Sequence, residues 1–199
     1  MKAYTSNNIR NIAVLGHGGK GKTTLCEAML YIAGASDRLG RVADGNTVLD
    51  FDSEEKRRKS SVSSAIAALE WDNTKLNIID APGLFDFEGG AAEAVRAAEA
   101  VLIVTSAGSG VDVGTEKAFR AAEKKGAAKF FAVTKTDSDH RNFYKTFDAL
   151  KEVYGNKLCP TIIPYMEGNI TKCYVNLMTG MAFSYDENGK ATKVPVPED

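Results

Sequence analysis

Long apolar runs, a one-sided charge and a regular cysteine pattern are all missing from this sequence. No apolar run approaches the ~18 residues of a membrane-spanning helix, and the polar start, residues 1–11, has no signal-peptide core. The 25 basic and 26 acidic residues give a formal net charge of -1, which provides no global attraction to nucleic acid. We therefore expect a cytoplasmic protein without membrane contact and without direct DNA binding.

Cysteine is scarce as well, and its placement excludes two further classes of protein. Cys26, Cys159 and Cys173 are odd in number and widely spaced, which argues against a disulfide framework and against a CxxC metal site. The 199 residues suit one domain with a small appendage, and 44% hydrophobic residues suffice for a core without disulfides. We expect the chain to be monomeric.

Apolar periodicity divides most of the chain into alternating strands and helices. Ile12–Leu15 predicts a buried strand, and after a glycine-rich loop Thr23–Ala33 has helical spacing. Val62–Trp71 and Leu76–Ile79 predict two strands that pair antiparallel across a polar turn. Similar patterns predict strands at Val101–Val104 and Lys129–Val133 and helices at Gly90–Ala98, Val113–Lys125 and Asn142–Tyr154. This alternation predicts an α/β fold, a three-layer α/β/α sandwich with a mixed, mainly parallel sheet.

Two stretches depart from this alternation. Ala35–Ser61 is long and irregular, which is typical of a functional or mobile connection. Its charge run, Glu54–Lys59, is expected to form a solvated face. From Thr161 onward, short strand-like pieces predict a partial antiparallel insertion rather than another strand–helix unit. We therefore predict two domains, residues 1–160 and residues 161–199.

The run Gly16–Thr23 fits the pattern G-x-x-x-x-G-K-[ST] at every fixed position, between a predicted strand and a predicted helix. Glycines let backbone N–H groups curl around a phosphate, and the helix N-terminus favours anions. In this chemistry Lys22 reaches the β- and γ-phosphates, and the Thr23 hydroxyl ligates Mg²⁺. The motif predicts a P-loop NTPase. The rival interpretation, a glycine-rich turn with a coincidental lysine, does not account for the flanking strand and helix.

A second polar segment, Asp80–Gly83 (DAPG), ends a predicted buried strand, where α/β proteins bind their ligands. Asp80 is placed to reach Mg²⁺ directly or through water, and the Gly83 N–H is placed to contact a γ-phosphate. Taken alone, the segment is equally typical of an ordinary strand-ending turn.

A third segment, Thr134–Asp137 (TKTD), stands where GTPases carry the pattern N-K-x-D. The Asp137 carboxylate would accept the guanine N1–H and exocyclic amine, and the Lys135 stem would lie along the base. Such charge-assisted bonds contribute about 1.5–3 kcal/mol each. Because adenine has an acceptor where guanine has N1–H, Asp137 should select guanine. The pattern is weak alone and gains its weight from its position after the P-loop and DAPG.

With these motifs in place, the chain resembles translation elongation factor G and most of all its elongation factor G-like side group. The resemblance is carried by IRNIAVLGHGGKGKTTLCEAMLY, LGRVADGNTVLDFDSEEKRRKSSVSSA, LNIIDAPGLFDF and AVTKTD, within Ile9–Asp137. It implies a translation GTPase that converts GTP to GDP and phosphate with Mg²⁺ and has the ribosome as partner. It also implies that residues 1–160 are a G domain lacking its last elements, and that residues 161–199 begin its inserted subdomain.

The resemblance implies a set of site residues. Lys22, Asp80 and Gly83 are expected to be catalytic, while Thr23, Ser61 and Asp80 are expected to surround Mg²⁺. Ala35–Ser61 would be switch I, whose order depends on the nucleotide. The nucleotide is expected to contact Gly16, His17, Gly18, Gly19, Lys20, Gly21, Lys22, Thr23, Thr24, Asp80, Ala81, Pro82, Gly83, Leu84, Thr134, Lys135, Thr136 and Asp137.

Departures from the family pattern leave alternatives open. Leu84 stands where the family usually has a water-orienting His, which predicts weak intrinsic hydrolysis. Gly19 replaces a common Asp that serves a monovalent cation, and Thr134 replaces the usual Asn, which predicts looser base binding. One alternative is therefore a GTP-sensing module with little hydrolysis. A P-loop ATPase or kinase unrelated to translation is a further alternative, against which Asp137 argues.

Overall fold

The computed structural model describes residues 2–136, 142–168, 170–186 and 189–198. The chain divides into two compact units, one formed by Met1–Ser106 with Val111–Thr134, the other by Ala107–Gly110 with Lys135–Asp199. No helix in the described ranges is both long and apolar enough to span a membrane.

The first unit is built on a five-stranded sheet with the order β2-β3-β1-β4-β5. Only the β2–β3 pair is antiparallel, and the pairs β1–β3, β1–β4 and β4–β5 are parallel. The predicted α/β fold with a mixed, mainly parallel sheet is confirmed. The strands are β1 (Ile9–Leu15), β2 (Ala65–Trp71), β3 (Thr74–Asp80), β4 (Ala100–Ser106) and β5 (Ala128–Thr134).

Helices connect these strands, and three of them lie within two residues of their predicted bounds. Helix α4 has the predicted bounds; Asp112 caps its start and Gly126, at φ 72°, ends it. The helices are α1 (Lys22–Ile32), α2 (Ser53–Arg58), α3 (Glu88–Ala97) and α4 (Val113–Lys125), with short 3₁₀ turns at Ser6–Asn8, Val42–Asp44 and Phe85–Phe87.

The β2–β3 hairpin explains why one strand of this sheet runs against the others. Trp71 pairs directly with Thr74, so the turn consists of Asp72 and Asn73, two residues shorter than the predicted polar turn. Both have positive φ, 43° and 58°, a conformation that Asp and Asn tolerate and that two-residue hairpin turns require.

The charge run in the irregular segment is more ordered than its composition indicates. Residues Ser53–Arg58 form helix α2, which Asp52 and Glu55 begin as a reciprocal capping box. Glu55 is buried, whereas the basic residues that follow it are exposed. The interpretation of Glu54–Lys59 as a solvated face is therefore wrong for Glu55, because backbone N–H groups surround its carboxylate.

The core of the first unit includes part of that irregular segment. Leu49 is only 2% exposed and lies with side chains of α1 and the sheet in one hydrophobic cluster. The segment is therefore anchored by burial of apolar surface, which is the main favourable term in folding. The buried members of the cluster are Val14, Cys26, Leu30, Leu49, Ala65, Leu69, Ile78 and Val104.

The second unit joins one helix to an antiparallel sheet with the order β6-β7-β8-β9. The sheet buries Cys173, Val175 and Ala182 on one face. The helix is α5 (Phe143–Tyr154), followed by a 3₁₀ turn at Gly155–Lys157, and the strands are β6 (Ile162–Glu167), β7 (Ile170–Asn176), β8 (Met181–Tyr185) and β9 (Ala191–Val194). By compactness α5 belongs with these strands, whereas the predicted boundary lies at residue 160; that boundary stays a prediction.

Truncating Leu49 tests whether the irregular segment contributes a side chain to the core of the first unit or merely lies beside that core. Leu49→Ala should lower the free energy of unfolding by about 2–5 kcal/mol, the usual effect of an emptied core position. Phe51→Ala, two residues away at a side chain that is 68% exposed, should change it by less than about 0.5 kcal/mol. Urea titration of the nucleotide-free chain, followed by Trp71 fluorescence, measures both. Equal, small effects would show that the segment is not part of the core.

Candidate nucleotide-binding site

The P-loop connects β1 to α1 at the carboxyl edge of the parallel strands. Gly16, Gly19 and Gly21 have φ values of 141°, 73° and 87°, which side chains rarely adopt. A Cβ on Gly16 would also collide with the Val104 carbonyl oxygen. Because α1 begins directly after Gly21, its unpaired N–H groups line the loop, and that arrangement favours an anion.

Lys22 is held inside the loop rather than in solvent. Its side chain belongs to a residue only 6% exposed, and Nζ donates to the carbonyl oxygens of Gly16 and His17, both at 3.1 Å. Burial lowers the Lys22 pKa, and the nearby Asp80 carboxylate opposes that effect. The ammonium group therefore lies against the backbone of the P-loop.

The three predicted metal residues lie beside this lysine. The Thr23 and Ser61 hydroxyl oxygens are 3.1 Å apart, although 38 positions separate them in the chain. Asp80 ends β3 opposite Val14 of β1 and is 1% exposed. Burial raises the pKa of Asp80 to about 7, against the influence of the Thr23 hydroxyl and the Lys22 ammonium. Within the described residues neither Asp80 carboxylate oxygen receives a well-aligned hydrogen bond.

Asp50 completes this group and was not predicted. The Ser61 hydroxyl donates to Asp50 Oδ1 at 2.7 Å, and its oxygen also lies 3.1 Å from the Thr23 hydroxyl oxygen. Asp50 is 3% exposed, and burial raises its pKa against the Ser61 hydrogen bond. Asp50 lies in the irregular segment, where no periodicity marks a residue as buried. We call Thr23, Ser61, Asp50 and Asp80 the hydroxyl–carboxylate group.

The turn after Asp80 passes directly over the P-loop. A Cβ on Gly83 would collide with Lys22 Nζ and would lie 2.7 Å from the Gly18 nitrogen, so only glycine fits there. Leu84 is 37% exposed, and its Cδ2 lies so near Gly18 that a Cβ there would be 2.9 Å away. The residue beside the P-loop thus presents hydrocarbon, which neither donates nor accepts a hydrogen bond.

The His17 and Lys20 side chains contact other elements of the first unit. The His17 ring lies 5.4 Å from the Phe85 ring, between centroids. Lys20 Nζ pairs with Asp112 Oδ2 at 3.1 Å, and Asp112 in turn caps α4 by accepting from the Thr115 N–H. Both contacts fix the P-loop against neighbouring elements of the first unit.

Thr134 ties the end of β5 to the P-loop. Its hydroxyl oxygen lies 2.6 Å from the Lys20 carbonyl oxygen and 3.1 Å from that of Thr105. Because a hydroxyl has one proton, the shorter contact to Lys20 is the better hydrogen bond. The Thr134 side chain therefore links the end of β5 to the backbone of the P-loop.

The structure brings most of the predicted residues together in the first unit: Gly16–Thr24, Ser61, Asp80–Leu84 and Thr134. Thr24 is exposed on the first turn of α1. Lys135, at φ 56°, and Thr136 belong to the second unit. Asp137 lies outside the described residues.

Because the Asp80 carboxylate is buried, replacing it with the neutral amide of Asn should stabilise the chain by an amount that depends on pH. The native pKa of about 7 exceeds the ordinary value of 3.8, so the native state retains a proton that the unfolded chain releases. Stability therefore falls as pH rises between these values and stays reduced above them. Asp80→Asn should raise the Tm of the chain in EDTA, with a larger gain at pH 8 than at pH 4.

The matched control is Asp86→Asn, an exposed aspartate after the same turn, which should leave Tm unchanged at both pH values. Thermal unfolding by circular dichroism measures the series. A Tm gain for Asp80→Asn that does not depend on pH would contradict the assignment of a buried, ionisable carboxylate.

Comparison with known proteins places this geometry in a family. The model of the elongation factor Tu GTP binding domain matches residues 7–196. The elongation factor G-like protein of Mycobacterium tuberculosis is 34% identical over 191 residues, which cover 96% of this chain and 26% of that protein. Elongation factor G of Mycoplasma genitalium is 30% identical over 193 residues, 96% of this chain and 28% of that protein.

A solved structure agrees with these sequence matches. A crystal structure of a Thermus thermophilus protein superposes with a TM-score of 0.89 at 38% identity, covering 96% of this chain and 28% of that one. The chain thus spans little more than a quarter of the length of these relatives. The chain belongs to the elongation factor Tu GTP binding domain family, among relatives of the elongation factor G type.

Proposed function

We propose that this chain binds GTP and GDP with Mg²⁺ and hydrolyses GTP slowly, as part of a cytoplasmic translation GTPase that acts with the ribosome in elongation or a related step. The observation that carries the proposal is the hydroxyl–carboxylate group beside the P-loop. Two hydroxyls 3.1 Å apart and two buried carboxylates form an oxygen-only set next to a phosphate-binding loop. Hard cations such as Mg²⁺ prefer such oxygens.

The residues fit both halves of a magnesium nucleotide. For the phosphates, the P-loop N–H groups and the Lys22 ammonium supply donors at the start of α1. For the cation, Thr23 and Ser61 supply hydroxyl oxygens, and Asp80 has buried oxygens without well-aligned donors among the described residues. When bound, Mg²⁺ neutralises phosphate charge during phosphoryl transfer. Lys22 holds the phosphates, and the Gly83 N–H is placed to sense the γ-phosphate.

Guanine selection is assigned to the segment that follows β5. Asp137 would accept from the guanine N1–H and amine, and Lys135 would cover the base. The Thr134 hydrogen bond to the Lys20 carbonyl supports this assignment, because it links the start of the segment to the loop that binds the phosphates. Family membership favours GTP over ATP on independent grounds.

Slow hydrolysis is proposed because Leu84 presents only hydrocarbon at the P-loop. A positioned acid or base is typically worth ~10²–10⁴ in rate. The second candidate function, a GTP sensor with almost no turnover, rests on the same residue. The ribosome is proposed as partner because relatives are named elongation factor G.

Nucleotide competition tests the central part of the proposal. Fluorescent GDP titrated against the chain in Mg²⁺ should bind and should be displaced by GTP and not by ATP. Lys22→Ala, which removes the phosphate-binding ammonium, should abolish binding. Displacement by ATP as effective as by GTP would overturn the guanine assignment.

Restoring the missing polar group at position 84 tests the cause of slow turnover. Leu84→His should raise GTP hydrolysis by ~10² or more, because the imidazole supplies a group that orients water. Leu84→Met, a hydrocarbon-like control, should leave the rate unchanged. Phosphate release measured with and without ribosomes decides the case. Fast, ribosome-stimulated turnover by the unmodified chain would exclude the sensor alternative.

A further inference from the structure

Two buried glutamates lie outside the hydroxyl–carboxylate group, at chain positions between its members. Glu27, on α1, is 0% exposed, and Glu55, on α2, is 2% exposed. A carboxylate removed from water is costly unless hydrogen bonds compensate it. In both residues the compensating donors are backbone N–H groups, which lie in the irregular segment or directly after it, so each carboxylate fixes a stretch of main chain.

Glu27 fixes the stretch just before Asp50. Its Oε1 accepts from the N–H groups of Val48 at 2.7 Å and Leu49 at 3.0 Å. The segment also approaches from the other side, because a Cβ on Gly40 would collide with Glu27 Oε2. One side chain of α1 thereby accepts hydrogen bonds from one part of the irregular segment and packs against another.

Glu55 fixes the stretch just after Ser61. Its Oε1 accepts from the N–H groups of Val62 at 3.0 Å and Ser63 at 3.2 Å. Its Oε2 accepts from the Asp52 N–H at 3.3 Å and so completes the cap of α2. The same carboxylate therefore anchors both ends of a short helix-containing loop.

These anchors lie on the two sides of one hydrogen bond. Val48 and Leu49 directly precede Asp50, and Val62 directly follows Ser61, whose hydroxyl donates to Asp50. We propose that Glu27 and Glu55 are positioning residues, which hold Asp50 and Ser61 beside Thr23 before any nucleotide arrives. The importance of that position rests on the proposed function, since Asp50 and Ser61 matter for Mg²⁺ binding only if the hydroxyl–carboxylate group receives the ion.

A general role in stability would give different results from a role in positioning. Loss of a merely stabilising residue would weaken all nucleotide binding and would loosen the segment as a whole. Loss of a positioning residue should loosen only the amides that it accepts from, and should weaken only that part of the affinity which depends on Mg²⁺.

Amide hydrogen exchange of the nucleotide-free chain, followed by NMR, tests the anchors directly. Glu27→Met, of similar volume but without an acceptor, should speed exchange at Val48 and Leu49 by roughly 10- to 100-fold and leave Val62 and Ser63 unchanged. Glu55→Met should give the reverse pattern. Glu54→Met, at the half-buried neighbour of Glu55 whose carboxylate pairs with Arg57 and Arg58, is the matched control and should change neither pair.

Replacement by glutamine adds a rescue test, since the amide keeps one acceptor oxygen. Glu27→Gln should recover part of the protection that Glu27→Met loses. Fast exchange at all four amides in the unmodified chain would overturn the proposal, as would equal loosening of both stretches by either Met variant.

Affinity for GDP in Mg²⁺ and in EDTA then tests the consequence for the site. Both Met variants should bind GDP about tenfold or more weakly in Mg²⁺, with little change in EDTA. Equal losses in both conditions would indicate a general stability role and would overturn the proposal. If the unmodified chain bound no GDP in either condition, the proposed function would fail, and the exchange pattern would still decide whether the glutamates hold the segment.

Discussion

The hydrogen bond from the Ser61 hydroxyl to the buried Asp50 carboxylate is the contact on which the rest of the site depends. It closes the irregular segment onto α1, because the Ser61 hydroxyl also hydrogen-bonds the Thr23 hydroxyl at the first turn of that helix. Leu49 buries the adjacent backbone in the core of the first unit. Ordering this loop costs conformational entropy. Burial at one point and hydrogen bonds at the next offset that cost.

Negative charge accumulates around this contact. Burial raises the pKa of Asp50 and of Asp80, and Lys22 is the cation that opposes the effect at both. A bound cation is often the largest local charge in such a site, and it lowers the pKa of neighbouring carboxyl groups. The same carboxylates that destabilise the ion-free chain would therefore stabilise a divalent ion, which ties the electrostatics of the fold to its proposed function.

Local rules were enough to predict much of the fold and part of the site. The P-loop glycines and the strand before them have a fixed spacing, and α4 carries its own start and stop signals in Asp112 and Gly126. Asp50 and helix α2 could not be found in this way. Asp50 is buried through contacts with residues far away in the chain. The capping box of α2 lies in a charged stretch, and only tertiary contacts determine which of its residues are buried.

The most direct measurement is a high-resolution structure of this chain with Mg²⁺ and a non-hydrolysable GTP analogue. We expect the ion within about 2.0–2.1 Å of both Thr23 Oγ1 and Ser61 Oγ, with Asp50 and Asp80 around it. An ion bound elsewhere, or Ser61 turned away from Thr23 while the nucleotide occupies the P-loop, would contradict the claim that the hydroxyl–carboxylate group is the metal site.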